Sequence, residues 1–117
     1  MRCEKLDVWK KSCRLSVEVY RHFRDSKDFG FKDQITRCSL SIGSNIAEGM
    51  EKESNKDKAR FLNISEGSLA ELITQIYIGI EIDYIEKDIG LNWKNELEHI
   101  SKMLKNLKKN ILEKDNK

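Results

Sequence analysis

No proline interrupts any of the 117 residues, and apolar side chains return at steps of three and four through most of the chain. Together these features leave little besides long helices, because proline breaks helix interiors and the 3.6-residue period places such side chains on one face. Gly, Ser and Asn gather into only a few short breaks. The expected fold is all-α and a single domain, with helices over roughly residues 6–25, 31–50, 55–84 and 91–113. A chain of this length buries roughly two thirds of its unfolded surface on folding, enough for one core.

The last helix is the most regular. Trp93, Leu97, Ile100, Leu104, Leu107 and Ile111 step alternately by four and three, a heptad seam. In the first helix Leu6, Trp9, Cys13, Ser16, Val17, Tyr20 and Phe23 are expected inward, with Val8, Leu15 and Val19 widening the apolar arc. Residues Ser26 to Gly30 form a polar turn from which Gly30 can begin helix two, with Asp33 in its first turn. Ser54 followed by Asp57 resembles a capping box and starts helix three. Short turns between four helices make sequence neighbours antiparallel, hence an up-down-up-down four-helix bundle.

Two segments depart from ordinary amphipathic patterning: Gln34 to Gly49 and Phe61 to Gln75, both carrying Ser, Gly and Ala where large residues would be usual. Small residues there let two helix backbones approach closely. On the first segment Ile35, Cys38, Ile42 and Ile46 form an apolar stripe, Thr36, Leu40, Gly43 and Ala47 a second seam of mostly small residues. Between them on the third side run Arg37, Ser41, Asn45 and Glu48. On the partner, Ser68, Glu71 and Gln75 flank the core stripe. The expectation is a buried polar network joining Arg37, Ser41, Asn45 and Glu48 to Ser68, Glu71 and Gln75, with Asn45, Glu48 and Glu71 mostly covered.

Helix three carries more apolar residues than one bundle needs. Ile64, Ile78, Ile82 and Ile85 make a second seam, which points to an interface with another copy of the chain.

The formal charge of +2 is too small to announce a nucleic-acid binder, but it is unevenly spread. Lys10, Arg14 and Arg21 share a face of helix one, while Lys105, Lys108 and Lys109 form a second basic group beside Lys102. Glu81, Asp83, Glu86 and Asp88 make the end of helix three acidic. Weak, sequence-independent RNA binding through the two basic groups is one expectation; an interaction scaffold with solvated basic faces is the alternative.

Enzymatic and cofactor readings find little support. His22 and His99 lie on different helices without a ligand-like spacing, and Glu96 with His99 is a single Glu-x-x-His where carboxylate-bridged bundles use two. Gly43 and Gly49 lack the strand and lysine of a phosphate loop. The chain is expected to be non-enzymatic, without a metal or cofactor. Three cysteines, Cys3, Cys13 and Cys38, show no paired spacing, so a reduced cytoplasmic setting is expected. The longest strongly apolar run, Ile76 to Ile82, is far too short to cross a bilayer.

The segments RCSLSIGSNIAEG and KDKARFLNISEGSLAELITQIYIG resemble the proteins encoded within intervening sequences of bacterial 23S ribosomal RNA genes. Their pattern is close to S-I-P-S-N-I-A-E-G, then a lysine-containing helix start, then G-S-L-x-E-L. Gly43 stands where that family usually has proline, and the turn Ser26 to Asp28 replaces a second proline. The resemblance spans nearly the whole chain and implies a left-handed four-helix bundle assembling into a homopentamer. It is similar too to the accessory proteins of diversity-generating retroelements, which resemble nucleic-acid and reverse-transcriptase binders.

Overall fold

In a computed structural model residues 6–116 are described, so Cys3 lies outside them. Four helices follow one another: α1 (Asp7–His22), α2 (Phe29–Met50), α3 (Asn55–Glu81) and α4 (Lys87–Glu113), with a short 3-10 turn at Lys114–Asn116. Two starts are fixed by side chains. Asp28 Oδ1 accepts the N–H of Phe31 at 3.1 Å, so α2 begins at Phe29, ahead of the expected Gly30. Ser54 Oγ accepts the N–H of Asp57 at 3.1 Å, as the sequence pattern led one to expect for α3.

The end of α3 comes earlier than its hydrophobic period suggests. After Glu81 the chain unwinds: Asp83 adopts a left-handed φ of 64°, and the N–H groups of Tyr84 and Ile85 both return to Gly79 O at 2.8 and 3.1 Å. This wrap carries Ile85 back under the helix, where it is 2% exposed. A Cβ on Gly79 would stand 2.5 Å from Ile85 Cδ1, so the bare glycine is what admits the side chain. Helix α4 then starts at Lys87, a turn before the expected residue 91.

Contacts between neighbours fix the topology. Ser16 meets Ser39 and Cys13 lies beside Gly43; Ser41 meets Ser68 and Gly49 lies beside Phe61; Gly90 lies beside Ile80 and Lys108 beside Glu66; Lys11 meets Glu96 and His22 stacks edge-on against Trp93. In every pair one number rises as the other falls, so all neighbours are antiparallel and α1 closes against α4. The result is an up-down-up-down four-helix bundle measuring 51 × 21 × 20 Å.

All four helices feed one core, with Leu15, Ile35, Ile42, Ile46, Leu62, Leu72, Ile76, Leu97, Ile100 and Leu104 almost wholly buried. Helix α1 turns a shifted face to it: of the residues expected inward, Ser16 and Phe23 are buried. Val8, Ser12, Leu15, Val19 and Phe23 point inward, whereas Trp9 and Cys13 are only half-buried and Val17 and Tyr20 are exposed. The arc expected merely to widen the stripe is its centre.

Candidate interaction surfaces

The polar row between α2 and α3 is smaller than expected and differently composed. Ser41 and Ser68 share a hydrogen bond of 2.8 Å, and Asn45 Nδ2 donates to Ser41 O and Ser41 Oγ at 2.8 and 2.9 Å. The Cys38 thiol donates to Ser68 O at 3.0 Å and lies 3.9 Å from Glu71 Oε2. One turn further, Ser65 Oγ donates to Ile42 O at 2.9 Å from a fully buried position. These short side chains bond directly across to backbone carbonyls, which only closely spaced helices permit.

Four expected members stand apart. Arg37 is exposed and paired along its own helix with Asp33 at 2.8 Å; Glu48 is exposed and reaches Lys52 at 4.0 Å. Glu71 is exposed and touches the network only through Cys38, while Gln75 makes no hydrogen bond and leaves Oε1 buried without a partner. Asn45 is half-buried. Arg37, Glu48 and Glu71 have long charged side chains that reach water from the flank of the helix pair instead of crossing between the helices. Cys38, Ser65 and the buried Ser16–Ser39 pair at 3.1 Å were not foreseen as polar contacts. Their one sequence signal was a polar residue standing inside an apolar stripe.

Burial among the bundle helices, reinforced by the negative charge of Glu71, pushes the Cys38 thiol up to about 11. At the other end of the bundle Tyr84 OH donates to Asp28 Oδ2 at 2.7 Å, holding that carboxyl below its ordinary range. His22 Nε2 lies 2.9 Å from Tyr84 O, so the two turns at this end are tied together.

Several apolar surfaces remain open, among them one between α3 and α4 lined by Ile73, Tyr77, Ile80 and Leu91. Between α1 and α2 runs a groove of about 440 Å³, with Trp9, Val17 and Tyr20 on one wall, Leu40 and Ala47 on the other, and Gly43 in the floor. Leu40, expected within a packed seam, is 51% exposed at its rim. On α3 the residues Ile64, Ile78 and Ile82 are 42%, 43% and 45% exposed. Ile85 does not join them, because it belongs to the core.

The cations divide in the same way. Lys10, Arg14 and Arg21 are all exposed and form no ion pair among the described residues. Lys105 reaches only the Ser101 hydroxyl, and Lys109 meets Glu113 at 4.0 Å. Lys108 is the exception: half-buried, it donates to Asn63 Oδ1 at 2.7 Å and pairs with Glu66 at 3.5 Å, so it fastens α4 to α3. Among the described residues no three metal-ligating side chains come together, and no helix is long and apolar enough to cross a membrane.

Fold and surface thus define an antiparallel four-helix bundle protein with exposed apolar and basic faces. The chain belongs to the family of 23S rRNA-intervening sequence proteins, whose family model matches residues 4–106. Among solved structures it is similar to a protein of unknown function from the S23 ribosomal protein family of Bacteroides thetaiotaomicron. That likeness has 28% identity and a TM-score of 0.81, over 87% of this chain and 98% of the other. No curated protein matches it.

Proposed function

We propose that the chain is a non-enzymatic, homo-oligomeric protein that associates with RNA by gripping the phosphate backbone through repeated basic faces. The observation that carries the reading is the exposed row Lys10, Arg14 and Arg21, without an ion pair among the described residues and therefore available to phosphate. Lys105 and Lys109 extend the cationic surface on α4; Lys108, held by Glu66, takes no part. The family's description, which refers to an intervening sequence of 23S rRNA, agrees with an RNA context.

One subunit offers too few cations for appreciable affinity, but an oligomer, a pentamer by resemblance, repeats each face and gains avidity. Trp9 and Tyr20 adjoin these cations along α1 but line the α1–α2 groove, so the cationic face itself engages backbone and leaves bases unread. The assembly itself draws support from the uncovered apolar faces on α1, α2 and α3.

Fluorescence anisotropy with structured and single-stranded RNA tests the proposal. Binding is expected near 50 mM salt, largely lost by about 200 mM, and strongly weakened when Lys10, Arg14 and Arg21 are replaced together by Gln. No signal at low salt, or one indifferent to that triple substitution, would leave an interaction scaffold without a nucleic-acid role.

A further inference from the structure

The side of the bundle between α3 and α4 holds a slot of about 350 Å³, at the small end of the range of small-molecule sites. Ile73, Ile76 and Ile80 line it from α3, Gly90 and Leu91 from α4. A Cβ on Gly90 would stand 2.5 Å from Ile80 Cδ1 and 3.3 Å from Ile76 Cγ2, so the absence of a side chain there is what lets both isoleucines reach α4. The floor is therefore hydrocarbon. Tyr77 and Leu91, 64% and 44% exposed, stand at the mouth with the exposed Lys94.

That mouth carries two hydrogen-bond donors without a partner. Among the described residues neither the Lys94 ammonium nor the Tyr77 hydroxyl makes an ion pair or a hydrogen bond, whereas Thr74, also lining the slot, donates to Ala70 O at 3.1 Å. Gly90 lies beside Ile80 in an antiparallel pair, so Lys94, four residues further along α4, comes level with Ile76 and Tyr77 on the opposite wall. No carboxylate lines the slot; Glu81 and Glu98 follow one turn beyond Tyr77 and Lys94, toward opposite ends. We propose that the slot binds a small monocarboxylate with a compact apolar body, its head between Lys94 and Tyr77 and its hydrocarbon over Ile73, Ile76 and Ile80.

Charge selects this occupant. One cation over an apolar floor matches one negative charge, and a carboxylate there accepts a charge-assisted bond from Lys94 and a second bond from Tyr77 while its body covers the isoleucines. A neutral amphiphile gains only the floor, and a cationic one meets Lys94 as a like charge. A polyanion needs further cations, which the slot does not line up. The α1–α2 groove gives the contrast, since it is also apolar but no charged side chain lines it. Lys10, Arg14 and Arg21 stand on α1, so the slot is independent of the RNA reading.

Octanoate, octanol and octylamine share one chain and differ in the head, so together they test the proposal. Titrated into the full chain with isoleucine methyl groups followed by NMR, octanoate is expected to shift Ile73 and Ile80 saturably and to leave Ile35 and Ile64 unmoved. Octanol is expected to bind about tenfold more weakly, the effect of losing a bond to a charged group, and octylamine more weakly still. Lys94→Met keeps an apolar stem and removes the charge; it should bring octanoate down to the level of octanol and leave octanol unchanged, with a smaller loss for Tyr77→Phe. Leu91→Trp, at an exposed position, fills the slot and should abolish binding of both while circular dichroism shows the helices intact. Absence of saturable shifts at Ile73 and Ile80, equal affinity of wild type for octanoate and octanol, or octanoate binding indifferent to Lys94→Met would each overturn the proposal.

Discussion

Gly49 and Gly67 make opposite predictions from the same substitution. A Cβ on Gly49 would lie 2.9 Å from Phe61 Cβ and 3.3 Å from Lys58 O. Neither neighbour is the tip of a flexible side chain, so α2 and α3 must move apart to admit a methyl group, and overpacking of this kind costs about 1–3 kcal/mol. The gain in helix propensity offsets little of it, since Gly49 sits in the last turn of α2. Separation of the two backbones also stretches the bonds from Ser65 to Ile42 and from Cys38 to Ser68.

Gly67 stands mid-helix in α3 with nothing within 4 Å of a built Cβ. There Ala is expected to stabilise by about 0.5–1 kcal/mol through backbone entropy. With a urea slope of about 1–3 kcal/mol/M, the two variants should differ in midpoint by roughly 0.5 M or more. Urea titrations followed by circular dichroism at one fixed protomer concentration make the comparison, because assembly shifts apparent stability. A Gly49→Ala midpoint equal to or above that of Gly67→Ala would refute the close-approach argument.

Asn45→Ala is expected to cost about 1 kcal/mol, the worth of a typical hydrogen bond, and not the larger penalty of a stranded partner, because Ser41 keeps its bond to Ser68; a loss of several kcal/mol in urea unfolding would show that the residue anchors more than Ser41. Cys38 should resist iodoacetamide in the folded protein at pH 9, while reacting after unfolding. Its thiol pKa is raised in the fold, so the associated stability is intact below the usual 9.0 and is lost as pH climbs through about 11. Comparison of wild type with Cys38→Ala across that window should show wild type falling more steeply, and parallel curves would remove the effect.

Much of this architecture was legible in the residues themselves. Lack of proline, the heptad seam from Trp93 to Ile111 and the Ser54 cap specify helices, their number and their antiparallel order, because periodicity and capping are local properties of the chain. The family pattern around Asn45 and Ser68 likewise marked the segments where two helices meet. Local pattern could not choose among apolar arcs on a helix that has two. On α1 both Trp9–Cys13–Tyr20 and Val8–Leu15–Val19 fit a helical stripe, and only packing against α2 and α4 decided that the second enters the core and leaves Val17 and Tyr20 on a groove wall. Ile85 reads as one more step of the α3 seam, yet the left-handed Asp83 and the space beside Gly79 turn it inward, a contact made by the chain folding back on itself. Glu48, Glu71 and Gln75 share a face with Ser41 and Ser68, but whether a side chain on that face is bonded, bare or orphaned depends on the distance to the neighbouring helix. That distance is set by Gly49 against Phe61 and by Ser65 against the backbone of Ile42, and exists only once both helices are in place.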